Sequence, residues 1–357
     1  MTGMNLRRQL LAFALVCVAL VGVEAAEAKR AGKKNPAVPA QLVGKAAPLG
    51  FDLMGPFANL PDGRVLAIEG NTARTSVDEG RTWSAPAPLF SSDSKLAVRP
   101  ERALVVTRQG TAILVFLDDS DVVWRWVPGD PLVLQQNRAK VWAVRSVDGG
   151  KTWTDLQMIQ PGYCGAIRDM IATADGRVVV TAQLLLPPVA RHASITYRST
   201  DEGRTWQASN LLDVRDVPGD HAGGFEPTVV EQGDHRFRLL IRTARKVFWQ
   251  AWSTDGLDWT GLEPTDIAAA HAPGLLKRLA SGRQVLLWNA VPGDRTVLHI
   301  AFSGDDGRTW SAPEEIARGK RVSYPYLLER HPGELWITTM QGDLRAKVLE
   351  ADYVKLR

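Results

Sequence analysis

The chain has 357 residues, 45% hydrophobic and 23% charged, with a formal net charge of +4. That is the composition of an ordinary globular chain, long enough for one large domain. Four of the positive charges are Lys29, Arg30, Lys33 and Lys34, so the rest is close to neutral and offers no basic face for nucleic acid.

The chain opens as a targeting segment. Arg7 and Arg8 precede an apolar run from Leu10 to Val23, and Ala26-Glu27-Ala28 supplies a small-x-small cleavage site. The run is too short for a membrane span. Residues 1–28 are therefore expected to be a signal peptide and the mature protein to be exported, periplasmic or extracellular. Cleavage there leaves Cys164 as the only cysteine, which excludes an intrachain disulfide. Residues 29–48, rich in Ala, Pro and Lys, read as a flexible basic leader.

From there one motif punctuates the chain. Ser76 to Trp83, Ser146 to Trp153, Ser199 to Trp206 and Ser303 to Trp310 share the spelling S-x-D-x-G-x-T-W, and Ser253 to Trp259 is a copy one residue shorter. The motif fits a hairpin turn, with Gly taking the left-handed backbone angle and Asp bonding the turn's own N–H groups. Recurrence every fifty to seventy residues or so is the period of a four-stranded propeller blade. A second set of turns, Asp62-Gly63, Gln109-Gly110, Asp175-Gly176, Ser281-Gly282 and Pro332-Gly333, each lies between apolar strands. Gln232 to His235 has the same place in the segment Pro227 to Arg242. The two sets together predict an all-β, six-bladed propeller of antiparallel blades over residues 49–357, with units beginning near residues 51, 99, 164, 223, 272 and 322. The last unit has no S-x-D turn, as a terminal blade would.

Equivalent positions at the start of the six innermost strands are Gly55, Arg102, Arg168, Glu226, Gly274 and Tyr324. Arg, Arg, Glu and Tyr make a poor buried wall and a good polar site, although a salt-bridged plug in the channel would use the same residues.

The S-x-D repeat resembles the Asp-box of bacterial sialidases and their secreted BNR-repeat relatives. Glu226-Pro227-Thr228-Val229-Val230-Glu231, running on to Leu239-Leu240-Ile241-Arg242, is similar to the stretch in which that family opens a strand with Glu and closes the returning one with Arg. The resemblance implies that Glu226 assists the nucleophile and that Arg242 binds the substrate carboxylate. Arg295, ahead of Val297 to Ser303, resembles a second carboxylate-binding arginine. Val322-Ser323-Tyr324-Pro325-Tyr326-Leu327 resembles the segment bearing the catalytic tyrosine, with Tyr324 in its place and Tyr326 as the alternative. The first-blade arginine of the family is absent from Leu53-Met54-Gly55-Pro56-Phe57. Its nearest counterparts, Arg99 and Arg102, lie in Arg99-Pro100-Glu101-Arg102. Arg168 joins the expected substrate-binding set from its strand position. The proton donor is open among Asp118, Asp119, Asp121 and Asp169, with Asp119 chosen.

Chemistry makes sense of such a set. Planar, permanently charged guanidinium groups bind a carboxylate in bidentate fashion. A carboxylate nucleophile beside a substrate carboxylate at ~4 Å would cost roughly 4 kcal/mol at an effective dielectric near 20. A neutral tyrosine avoids that repulsion and is the sialidase solution. Its phenol ionises near pH ~10, so it needs a base such as Glu226.

The expected function is thus a retaining exo-glycosidase acting on sialic acid or a related acidic sugar, with a sialylated or other acidic glycan as partner. A glycan-binding or structural propeller with a degenerate site is the alternative. No metal-ligand spacing or phosphate-cradling glycine loop occurs, so no cofactor is expected. Trp124 and Trp126 read either as sugar-stacking groups or as a self-packed loop, His221 as a solvated loop histidine, His192 and His271 as local, and Cys164 as a buried inert thiol.

Overall fold

The computed structural model describes residues 39–125, 133–187, 190–215 and 221–354. The expected signal peptide, Trp126 and the first ten residues of the expected leader lie outside them. Two short strands come first, β1 (Gln41–Leu42) and β2 (Ala47–Pro48). The first blade is β3 (Phe57–Asn59), β4 (Val65–Glu69), β5 (Thr72–Ser76) and β6 (Ala87–Pro88). The second is β7 (Val98–Val106), β8 (Ala112–Asp118), β9 (Val141–Ser146) and β10 (Thr154–Gln160). The third is β11 (Met170–Ala172), β12 (Val178–Leu186), β13 (Arg191–Ser199) and β14 (Gln207–Ala208). The fourth is β15 (Gly224–Glu231), β16 (Phe237–Thr243), β17 (Val247–Ser253) and β18 (Thr260–Ala268). The fifth has β19 (Leu275–Arg278), β20 (Gln284–Trp288), β21 (Val297–Ser303) and β22 (Glu314–Arg318), and the sixth has β23 (Ser323–His331), β24 (Glu334–Gln341) and β25 (Arg345–Leu349). This is the six-bladed antiparallel propeller that the repeats predict.

The last blade gains its fourth strand from the other end of the chain. β2 pairs with β25, Ala47 opposite Lys347, and β1 adds a fifth strand to the fifth blade, Gln41 opposite Arg318. The expectation of a flexible leader up to residue 48 is corrected here. Backbone N–H and C=O groups at the outer edges of β22 and β25 need partners, and residues 41–48 provide them.

The second strands form the packed layer. β8 and β16 are buried along their whole length, as is β20, because each faces a neighbouring blade on both sides. That is why β8 and β20 read as nearly continuous apolar runs, while β16 carries Arg238 and Arg242 on either side of its Leu239–Ile241 centre. The cores lie between blades: Ile113, Val115 and Leu117 of β8 pack with Val178 and Val180 of β12, and Leu287 of β20 joins a cluster with Leu335 and Ile337 of β24. Each fully buried Leu, Ile or Val contributes roughly 1.5–3 kcal/mol.

The four full-length S-x-D turns share one hydrogen-bond set, and the shorter fifth keeps its Ser–Asp–Gly part while Asp255 accepts from the N–H groups of Leu257 and Asp258. In the first, Ser76 Oγ donates to Asp78 Oδ1 (2.9 Å) and accepts from Gly80 N–H (2.9 Å), while Thr82 donates from its N–H (2.8 Å) and its hydroxyl (2.7 Å) to Asp78. The third repeats it between Ser199, Asp201, Gly203 and Thr205. The glycine has a second duty. Gly203 sits at φ +79, and a Cβ there would lie 2.9 Å from Ile113 of the preceding blade. The turn therefore also seats a core side chain. Since each turn closes a third strand and strands alternate in direction, the turns lie at the opposite end of the blades from the start of the innermost strands.

Candidate active site

At that other end, the innermost strands of two blades begin with the same backbone device. Glu226 (φ +51) and Tyr324 (φ +64) are left-handed non-glycine residues, and each precedes a proline. The residue before proline disfavours helical angles, and such strain costs of order 1–3 kcal/mol where it is held. Both positions interrupt the ladder: Phe225 pairs with Arg242 and the next paired residue is Thr228, while Ser323 and Pro325 pair across a skipped Tyr324. The skipped residues aim their side chains at each other.

The Tyr324 hydroxyl donates to Glu226 Oε1 at 3.0 Å, and Arg242 Nη1 donates to the Tyr324 oxygen at 3.1 Å and to Glu226 Oε2. Glu226 is further fixed by its N–H, which donates to Gln183 Oε1 of β12 at 2.8 Å. Gln183 fits because residue 165 is glycine; a Cβ there would come within 2.1 Å of Gln183 Nε2 and 2.6 Å of the Tyr163 oxygen. The Arg242 guanidinium lies 4.4 Å over the Phe225 ring, which itself stacks on His192 with centroids 4.6 Å apart.

A cavity of about 380 Å³ opens on this group. Its lining adds Arg295, Arg321, Arg99, Glu101 and, at the rim, a half-exposed Trp124 to the Tyr324–Glu226–Arg242 cluster. Among the described residues, neither the Arg295 nor the Arg321 guanidinium has a hydrogen-bond or ion-pair partner. Arg99 differs, being paired with Glu101 (3.1 Å) and with Asp119.

Burial alone would push the Glu226 carboxyl up, but Arg242 and Arg168, with the hydrogen bonds from Arg242 and Tyr324, hold it below its ordinary value. Burial and the adjacent Glu226 push the Tyr324 phenol up, against the pull of Arg242, Arg295 and Arg168. The pair therefore rests as carboxylate and phenol, a proton acceptor beside a proton donor. Burial lowers Arg295, and so do the neighbouring Arg242 and Arg321 charges, the expected cost of unneutralised cations in one place. Burial drives His192 down to about 3 and His271 down to about 4, so these two imidazoles are neutral near pH 7 and add no positive charge to that of the arginines.

Not every expected residue reaches the cavity. Arg102 is buried with its guanidinium bonded to the carbonyl oxygens of Gly55 (2.6 Å), Ile68 (2.9 Å) and Arg99 (3.3 Å), so it ties the first blade to the second. Arg168 lies beneath Tyr324, its Cζ 5.0 Å from the ring centroid. Neither lines the cavity. Asp119 is about half exposed, and it anchors Arg99 from outside the lining. Asp118 bonds Ala97 N–H and Ser120, Asp121 pairs with Arg138 and Lys140, and Asp169 is buried against Thr228 and Lys277. Tyr326 donates to the Pro100 carbonyl. His221 departs from its reading as a solvated residue: it lines the cavity and stacks on His192 with centroids 5.7 Å apart. Cys164 is buried, its thiol pushed up to about 12 by burial.

Glu101, Arg321 and Gln183 were not singled out by sequence. Glu101 stands between Arg99 and Arg102 in a stretch already quoted, and Arg321 directly precedes the Val322–Leu327 segment. Nothing in the local pattern marks Gln183.

Comparison with known proteins agrees with the propeller fold. The family of BNR repeat-like domains matches residues 74–337. A sialidase of Micromonospora viridifaciens is 27% identical over 319 residues, 78% of this chain and 44% of its own, so the chain spans less than half the length of that curated relative. Among solved structures, a Hadza microbial sialidase has a TM-score of 0.66 at 16% identity, covering 87% of this chain and 69% of its own. The NanB sialidase of Streptococcus pneumoniae gives 0.60 at 13% over 90% and 71%, and an α-L-arabinofuranosidase of Fusarium graminearum gives 0.58 at 14% over 87% and 100%. At these identities the structural likeness speaks to the fold. The chain belongs to the BNR repeat-like domain family, within the sialidase-like superfamily of propellers.

Proposed function

We propose that the protein is an exported, retaining exo-glycosidase that removes a terminal acidic sugar, sialic acid or a close relative, from a glycan. The observation that carries this reading is the Tyr324–Glu226–Arg242 cluster facing two guanidinium groups, of Arg295 and Arg321, without partners among the described residues. Tyr324 Oη attacks the anomeric carbon while its proton passes to Glu226, giving a glycosyl-enzyme that water hydrolyses. Arg295 and Arg321 take the substrate's carboxylate; at ~4 Å and an effective dielectric near 20, each such contact is worth roughly 4 kcal/mol before desolvation. Glu101, the other carboxylate on the cavity wall, serves as the acid that protonates the leaving oxygen. Export rests on the Arg7-Arg8 and Leu10–Val23 pattern.

The test is release of fluorophore from a 4-methylumbelliferyl sialic acid ketoside, beside the neutral 4-methylumbelliferyl arabinofuranoside. Turnover of the ketoside with retention by proton NMR is the expected result. Turnover of the furanoside alone would overturn the acidic-sugar reading. No turnover of either, with ketoside binding retained, would replace the hydrolase with a glycan-binding propeller.

A further inference from the structure

Arg168 is 2% exposed, yet among the described residues no carboxylate lies within ion-pair distance of it. A guanidinium taken out of water without a direct ion-pair partner is costly. What surrounds it is specific. Its Nη2 donates to the carbonyl of Pro325 at 3.0 Å and its Nη1 meets Met340 Sδ at 3.0 Å. Its Cζ lies 5.0 Å from the Tyr324 ring centroid and 5.3 Å from that of Tyr326. The carbonyl it holds belongs to the residue directly after the left-handed Tyr324.

We propose that Arg168 is a positioning residue for Tyr324, locking its strained backbone through Pro325 and lying under its ring so that the phenolate is favoured over the phenol. The inference rests on the reading of Tyr324 as nucleophile. When Tyr324 Oη bonds the anomeric carbon, the phenol proton goes to Glu226 and the aglycone oxygen leaves with a proton from the acid. When water attacks, it gives a proton to that same residue, the carbon–Oη bond breaks with its electron pair left on the tyrosine oxygen, and Glu226 returns its proton. Negative charge builds on Oη in both steps, and a cation fixed against the ring's face lowers the barrier to each. Arg168 does this without touching substrate, since it lies outside the cavity lining. Burial and Glu226 raise the Tyr324 phenol, and Arg168 is among the groups that oppose the rise.

The protein carries five tyrosines, so the full chain labelled with 3-fluorotyrosine, whose phenol ionises at lower pH, gives a short fluorine NMR spectrum in which loss of one signal in Tyr324→Phe assigns Tyr324. In Arg168→Met the Tyr324 midpoint is expected to rise by about one pH unit or more, and kcat to fall on the order of 10²-fold with KM within about threefold. Arg168→Lys keeps the charge and is expected to restore most of the midpoint and part of kcat. Arg102→Met, which removes another buried guanidinium, is expected to leave the midpoint unchanged. A Tyr324 midpoint equal in Arg168→Met and wild type overturns the proposal, as does a kcat loss that merely follows thermal stability. Should Arg168→Met fail to fold, a raised midpoint in Arg168→Lys has the same effect. The NMR readout needs no turnover, so an inactive wild type would sink the hydrolase reading while leaving this test intact.

Discussion

The two ends of the blades solve opposite problems with similar residues. At one end, each S-x-D turn satisfies its polar groups within about a single hairpin, and the same bonds recur from blade to blade. At the other end, Tyr324 and Glu226 find each other across two blades, on strained backbone, beside the Arg295 and Arg321 guanidinium groups, which have no partner among the described residues. The first arrangement is complete without a ligand. In the second, the cations and the left-handed residues are costs to folding, of the kind that functional sites carry.

Substitutions can break that contrast or sharpen it. The largest effect is expected from Tyr324→Phe, which should lower kcat by about 10³-fold or more if Tyr324 is the nucleophile. Tyr326→Phe, losing only its bond to the Pro100 carbonyl, should cost about 0.5–1.5 kcal/mol of stability by denaturant titration and leave kcat near wild type. Equal kcat losses would erase the distinction between the two tyrosines. Arg295→Ala should raise KM for an acidic glycoside on the order of tenfold, and the exposed Arg321→Ala by about threefold, both effects fading in high salt. KM for a neutral glycoside should stay put.

At the turn end, Asp148→Ala removes the acceptor for Ser146 and Thr152. It should cost about 1–2 kcal/mol, read as a lower melting temperature, with kcat/KM unchanged. The smallest effect concerns pH. Glu226 has a folded value below its ordinary 4.5, so the stability it contributes is fully present above that value and is lost as pH falls through the folded one. The melting-temperature gap between wild type and Glu226→Gln should be flat from neutral pH down to about 5 and close below it. A gap that widens on acidification would mean the carboxyl is raised rather than lowered.

The turn end was legible in the sequence for a physical reason: its bonds are local, so the spelling S-x-D-x-G carries them. The turn glycines at 63, 110, 176, 282 and 333 all have positive φ, and His235 takes the same conformation where the fourth blade has no glycine (φ +63). Strand position and resemblance coincide at Glu226 and Tyr324, and resemblance alone singled out Arg242 and Arg295; all four line the one cavity. Arg102 and Arg168 occupy equivalent strand positions, yet their long side chains reach carbonyls of other blades. Periodicity gives the start of a strand but not the path of a guanidinium. Glu101 escaped notice because the ladder slips between Val98 and Arg102, and a slip changes which residues face inward.

The closing of the ring by β2 on β25 has a temporal side. Ala47 is synthesised long before its partner Lys347, so the ring stays open until almost the whole chain is available, and its final contact is among the most distant in sequence. Such non-local pairing slows folding. Until it forms, two blades carry naked edges that can pair with other chains. The seam between first-made and last-made strands is therefore where a folding helper has most to protect, and where the ring would be expected to part first under mechanical load.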